Sequence, residues 1–193
     1  MIDTETTGLF PYGREPPYEE CVPDEMLQLS IMNVATGRTL YDKLLWPAHS
    51  KSWYQAEQVN HISFDMVRDA PSVYEERSRI QEIIDGARLV IGYNTSFDMG
   101  FMEAAGINFD KVKWAIDVMD DFAAHYGEFV DWAENYKWQK LTTAAMLTKY
   151  DEAYWVHGSK TAHDSLEDCK ATLHVAKWLE AHPDQMLKNA LYY

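Results

Sequence analysis

The sequence predicts a mixed α/β domain in which a sheet is covered by helices. Three observations carry that prediction: paired apolar segments early in the chain, strand-then-helix alternation in its middle, and a long capped helix near its end. Met26 to Val34 and Arg38 to Trp46 flank Thr36-Gly37 and read as a hairpin, set to pair with whatever strand precedes Asp3. Ser72 to Asp85 follows Pro71, has acidic residues early and carries apolar Val73, Ile80, Ile83 and Ile84, the signature of a helix. Arg88 to Gly92 is a short apolar strand. A helix from about Ser96 to Ala105 follows and is ended by Gly106. Val112 to Ile116 reads as a further strand, and helices are expected over Val118 to Tyr126 and Leu141 to Lys149. The last helix runs from Asp164 to about Ala181, where Pro183 bars continuation.

Composition fits one domain spanning 1–193, long enough to bury a substantial core. Hydrophobic residues make up 47%, yet no apolar run approaches membrane-spanning length, so no membrane partner is expected. A basic segment followed by an apolar stretch and a small-residue cleavage site is missing, which argues against secretion. Cys21 and Cys169 have no metal-type spacing and read as reduced thiols in a cytoplasm. The net charge of −14 argues against a grip on duplex nucleic acid by broad phosphate neutralisation. It leaves a protein that reads a strand end, one recruited by a partner, or one whose charges only keep it soluble.

Three short stretches, far apart, offer side chains that hold metal ions. Asp3 and Glu5 lie in Ile2-Asp3-Thr4-Glu5-Thr6-Thr7-Gly8-Leu9, Asp98 closes Tyr93-Asn94-Thr95-Ser96-Phe97-Asp98, and His163 and Asp168 lie in Ala162-His163-Asp164-Ser165-Leu166-Glu167-Asp168. Four gathered carboxylates need neutralising, and hard divalent cations with oxygen ligands do that best. A nearby histidine adds a proton acceptor that works near neutral pH. Each motif alone is weak, since Asp-x-Glu in a chain with 31 acidic residues usually marks a solvated face. Their joint occurrence with compatible local structure is the stronger signal. Asp98 falls in the first turn of a helix after a strand, with Met102 and Ala105 continuing its side. Asp164-x-x-Glu167 has the form of an N-cap with an acidic third helical residue. His163 then lies just outside the helix, and Asp168 is anchored within it, with Thr172, Val175 and Leu179 extending its stripe.

In this order the motifs resemble the DEDDh (DnaQ-like) family of 3′–5′ exonucleases, with a ribonuclease H-like fold, over nearly the whole chain. Val59-Asn60-His61-Ile62-Ser63 looks like the family's segment after the third strand. Lys137 to Ala145 is similar to the stretch before the third motif in relatives of the DNA polymerase III proofreading subunit. The resemblance implies a five-stranded mixed sheet flanked by helices. Its first strand is expected to be truncated, because only Met1 and Ile2 precede Asp3. It further implies two Mg²⁺ ions, with Mn²⁺ as substitute, held by Asp3, Glu5, Asp98 and Asp168, with His163 as general base. Thr6, Thr7, Gly8, Leu9, Asn60, His61 and Phe97 would contact the terminal nucleotide. The implied substrate is a single-stranded 3′ end, DNA before RNA, cut by a stand-alone enzyme or by a unit recruited by a DNA polymerase or other protein. An exoribonuclease, or a non-catalytic binding module of the same fold, remains the alternative.

Two segments stay open. Tyr126 to Lys140 interleaves Phe129, Trp132, Tyr136 and Trp138 with Lys137 and Lys140. It reads as a strand-binding surface or as core, and core packing is the expectation. Phe10 to Asp24 holds four prolines beside the first motif and reads as a loop that gates the site or as an insertion without a role.

Overall fold

Asp3 and Glu5 lie on a five-residue strand, β1 (Ile2–Thr6). In the structure, a computed structural model that describes residues 1–13, 22–150 and 163–183, β1 pairs antiparallel with β2 (Met26–Met32) along its whole length, from Ile2 opposite Ile31 to Thr6 opposite Met26. The expected hairpin follows, because β2 pairs antiparallel with β3 (Thr39–Leu44) across a turn closed by Gly37 at φ 69. The short first strand is therefore paired from end to end, with one bulge in the register between Glu5 and Thr6. Helices α1 (Tyr54–Asn60) and α2 (Phe64–Val67) come next, where the sequence had suggested only a segment after the third strand.

Helix α3 (Val73–Asp85) starts as its residues dictate: the Ser72 hydroxyl caps the Glu75 amide while the Glu75 carboxylate reaches back to Ser72. Then come β4 (Leu89–Gly92), α4 (Thr95–Ala104), β5 (Trp114–Asp117) and α5 (Val118–Tyr126). Strand β5 begins two residues later than the apolar pattern suggested and is parallel to β4. The five strands are hydrogen-bonded as the antiparallel unit β1–β3 and the parallel pair β4–β5. A small hairpin, β6 (Phe129–Val130) and β7 (Asn135–Tyr136), precedes α6 (Leu141–Leu147), and α7 (Ser165–Ala181) is the long final helix.

Strand β2 is buried along its whole length because both faces are covered. Leu29 and Ile31 join Ile80 and Ile84 of α3 and Phe101 and Met102 of α4 in one core. Met32 joins Val118 and Phe122 of α5 and Cys169, Leu173 and Val175 of α7 in the other. Among the described residues Cys169 is a free, buried thiol, while Cys21 lies outside them. No helix among the described residues is long and apolar enough to cross a membrane.

Asp117 ties the parallel pair to both following helices. Asn94, at φ 68, begins α4 without a side-chain cap of its own. The Asp117 carboxylate supplies it, accepting from the amides of Asn94 (2.8 Å) and Thr95 (2.9 Å), and it also caps α5 through Met119 N–H (3.0 Å). A single N-cap is worth ~1 kcal/mol, so Asp117→Ala should cost roughly 2 kcal/mol over two helices. In a chain of this size that is about 4–8 °C in melting temperature. Asp117→Asn, which keeps an acceptor, should recover most of it in the same thermal melts.

The expectation that the Tyr126 to Lys140 aromatics build core is corrected here. Trp132 is 90% exposed, Trp138 59% and Phe129 52%. A two-residue hairpin has one apolar contact of its own, Phe129 edge-on to Tyr136 at 5.4 Å, and too little surface to cover the other rings.

Candidate active site

Side chains alternate along a strand, so Asp3 and Glu5 share one face of β1 and Thr4 and Thr6 the other. Asp98, in the first turn of α4, meets β1 at Thr4. Its Oδ1 accepts from Thr4 N–H (2.9 Å) and from the Thr4 hydroxyl (2.8 Å). Gly92 leaves room for the start of α4, since a Cβ there would stand 3.0 Å from the Thr95 hydroxyl and 3.2 Å from Thr95 Cα.

Asp168 is delivered by α7, whose start is fastened to the sheet. Asp164 caps the amides of Leu166 and Glu167. The Gln28 side chain donates to Asp164 Oδ2 (3.2 Å) and accepts from Ser165 N–H (3.2 Å), and the Ser30 hydroxyl meets that of Ser165 at 2.7 Å. Asp42 on β3 accepts from both Gln28 and Ser30. Gln28 lies opposite Glu5, and Ser30 opposite Asp3. The strand pair that carries the first two carboxylates thus also positions the helix that carries the last. Sequence reasoning did not single out Gln28, Ser30, Asp42 or Ser165. The available signal was the polar residues two apart in Met-Leu-Gln-Leu-Ser-Ile-Met, which give an otherwise apolar strand one polar face.

These elements bring together Asp3, Glu5, Asp98, Asp168 and His163. One ligand atom from each of Glu5, His163 and Asp168 lies within 4.8 Å of the others. Burial is the main cause that pushes each carboxyl group up, and the neighbouring carboxylates add to it. Asp3 is raised well above the usual range by burial and by Asp98, Asp168 and Glu5. Glu5 is raised to about 9, with the Asn60 side chain opposing, and Asp98 to about 8 despite the two bonds from Thr4. Asp168 is raised to about 7, partly offset by the His163 backbone amide. Its Oδ1 is buried with no hydrogen-bond partner among the described residues. A buried, partnerless carboxylate oxygen amid mutually repelling acids fits a cation with oxygen ligands. His163 precedes the helix, at φ 70, and is exposed. Partial burial, then His61 and Lys140, pulls its pKa below the ordinary value.

Three grooves meet at this cluster. The first, about 570 Å³, is lined by Thr6, Thr7, Gly8, Leu9, Asn60 and Phe97, with Trp53 and Tyr54 opposite. Leu9 is 68% exposed, and Phe97 is half-buried against Phe101 at 4.9 Å. Thr6 donates to Gly8 O, and Asn60 is buried and donates to Thr6 O (3.1 Å). Gly8 has no room for a side chain, because a Cβ would meet the Asp24 carboxylate at 2.4 Å. His61 faces a second groove, which His163 also lines. Asp24 and Phe10 bond each other through backbone and side chain and pinch the ends of the proline-rich loop, whose residues 14–21 lie outside the described residues.

The sequence and the fold are similar to those of known proteins. The exonuclease family model RNase_T matches residues 1–176. A DNA polymerase III subunit epsilon-like protein of Rhodobacter capsulatus is 29% identical over 180 residues, 89% of this chain and 22% of that protein. A PolC-type DNA polymerase III of Staphylococcus haemolyticus is 30% identical over 105 residues, 53% of this chain and 6% of that one. The chain thus spans about a fifth or less of the length of these relatives. Exonuclease X, solved in complex with 5′ overhanging duplex DNA, superposes with a TM-score of 0.58 at 18% identity, over 97% of this chain and 94% of that chain, and so shares the fold. A match across 1–176 takes in β1, α4 and the start of α7, the three elements that carry the carboxylates, so the chain belongs to the RNase_T exonucleases, DnaQ-like members of the ribonuclease H-like superfamily.

Proposed function

We propose that the chain is a metal-dependent 3′–5′ exonuclease that shortens single-stranded DNA from its 3′ end and releases nucleoside 5′-monophosphates. The observation that carries this reading is the convergence of Asp3, Glu5, Asp98 and Asp168 with His163 at the meeting point of three grooves. The four carboxylates would hold two Mg²⁺ ions, with Mn²⁺ as substitute. Bound cations would polarise the attacking water and offset charge on the leaving 3′ oxygen. His163 takes the water's proton at a ring nitrogen. The lowered pKa keeps that imidazole neutral and ready at physiological pH. Thr4 fixes the orientation of Asp98, and Gln28 and Ser30 fix the entry of α7.

The terminal nucleotide sits in the first groove, with Leu9 and Phe97 against its base and Thr6, Thr7, Gly8 and Asn60 beside its sugar. His61 flanks it from the second groove. The names of the relatives support DNA as substrate, and work beside a polymerase as the setting. Matched 5′-labelled DNA and RNA strands, incubated with and without Mg²⁺, test the reading. A stepwise ladder on DNA that stops in chelator is the expected result. Internal fragments, or cutting that persists in excess chelator, would exclude it, and faster shortening of RNA would move the substrate to that polymer.

A further inference from the structure

The third groove, about 670 Å³, reaches the acidic cluster, and neither Leu9 nor Phe97 is among its lining residues. It is lined by Tyr93, Trp138, Gln139 and Lys140 and ends at His163 and Asp168. We propose that this groove is the upstream subsite of the strand, where one base stacks on Trp138 and a phosphate on the 5′ side of the scissile bond meets Lys140. The inference rests on the exonuclease reading and adds the path of the substrate to it.

Rigidity is the first support. The segment Lys137 to Lys140 is strapped down at three points: Lys137 N–H donates to Glu128 O (2.8 Å), the Trp138 indole N–H to Asp120 Oδ1 (2.7 Å), and the Tyr93 hydroxyl to Gln139 O (2.8 Å). The Trp138 ring is thus held in place while 59% exposed, which is a preformed platform for a base. Charge is the second. Lys140 is exposed and in no ion pair among the described residues, whereas Lys137 pairs with Glu128. Among the described residues the only acid lining the groove is Asp168. The second groove has the opposite character, since Asp42 and Asp164 line it and its one lysine, Lys43, is held by Glu76. A polyanion leaving the cluster is repelled there and accepted along Trp138 and Lys140. In a chain of net charge −14, Lys140 stands close enough to the proposed base to act on its charge.

The test uses two readouts on the full chain. Binding is followed by anisotropy in Mg²⁺ with a 5′-fluorescein tetradeoxynucleotide whose terminal linkage is a methylphosphonate that resists hydrolysis. Cleavage is followed as kcat and KM on unmodified di- and tetradeoxynucleotides. Trp138→Ala should weaken tetranucleotide binding about 5- to 150-fold, the range of one base–aromatic stack. Trp138→Phe should recover part of that loss. Lys140→Ala should weaken binding and make its logarithmic salt slope shallower by roughly 0.7, one phosphate contact on a single strand, while Lys140→Arg restores it. In cleavage the loss should fall mainly on KM and be larger for the tetranucleotide than for the dinucleotide. Trp132→Ala, on the exposed hairpin tip, is the control for loss of a surface ring. Equal losses on both lengths, or binding and salt slope unchanged in Trp138→Ala and Lys140→Ala, would overturn the subsite. Wild-type chain that binds the tetranucleotide through these two residues but never shortens it would overturn the exonuclease reading and leave the subsite standing.

Discussion

Asp3→Asn should abolish strand shortening and, in the same variant, erase the response of stability to metal. Losing one of the proposed cation ligands would remove several kcal/mol of transition-state charge stabilisation, ~10³-fold or more in rate. Stability gives a readout that needs no substrate. Glu5, Asp98 and Asp168 are raised to about 9, 8 and 7 by burial and mutual repulsion, with Asp3 raised as well. Unfolded carboxyl groups titrate near ~4. Because the folded values are the higher ones, the folded state binds more protons between these limits. The associated stability is full below about pH 4 and is lost as pH rises through the folded values. Melting temperature in chelator should therefore fall between pH 6 and 9 for the wild-type chain. Mn²⁺ or Mg²⁺ should restore it, by ~2.7 kcal/mol at a hundredfold excess over the dissociation constant. Asp3→Asn removes one of the repelling charges, so its fall with pH should be shallower and its gain from metal lost. A wild-type melting temperature indifferent to millimolar metal at pH 8, or an undiminished metal gain in Asp3→Asn, would refute the site.

The parts legible in the sequence were those set by local chemistry. Ser72 with Glu75, Asp164 before α7, the turn at Gly37 and the stop at Gly106 each use short-range hydrogen bonds or backbone freedom that a few residues specify. The three acidic motifs were legible for the same reason, each sitting at a strand or helix start. What the sequence hid depends on residues far apart. Asp117 caps α4 from the end of β5, across more than twenty residues, and no local pattern announces a cap supplied by another element. Gln28 and Ser30 hold Asp164 and Ser165 over more than a hundred residues. The aromatic stretch was misread because ring size predicts burial only when enough neighbouring surface exists. The hairpin at 129–136 has none for Trp132. Helix α1 escaped because its buried side is almost confined to Asn60, so its apolar periodicity is weak.

His163→Ala should cost ~10²–10⁴-fold in kcat, the usual size of general-base catalysis, while leaving the metal titration nearly intact. The geometry makes this a demanding test, because a His163 ligand atom lies within 4.8 Å of those of Glu5 and Asp168 and would reach a cation held by them. If His163 is a ligand, its loss should weaken metal affinity as much as Asp168→Ala does. If it handles only the proton, Asp168→Ala alone should weaken affinity, since that variant deletes an oxygen with no other hydrogen-bond partner among the described residues. The pH profile separates the two again. Burial, His61 and Lys140 hold the imidazole below its ordinary value of 6.5. A base must be unprotonated, so the wild-type rate should rise with pH to a plateau, with the midpoint of the limb below that value. Bound metal favours the charged carboxylates and moves their titration to lower pH. In His163→Ala the limb should be missing and the residual rate should follow hydroxide, without a plateau near neutrality. Lys140→Ala should shift the limb to higher pH, because one of the charges opposing the imidazolium is gone. Calorimetric Mn²⁺ titration of His163→Ala and Asp168→Ala side by side decides the assignment. Equal loss of affinity in the two variants would make His163 a ligand and leave the proton to another group.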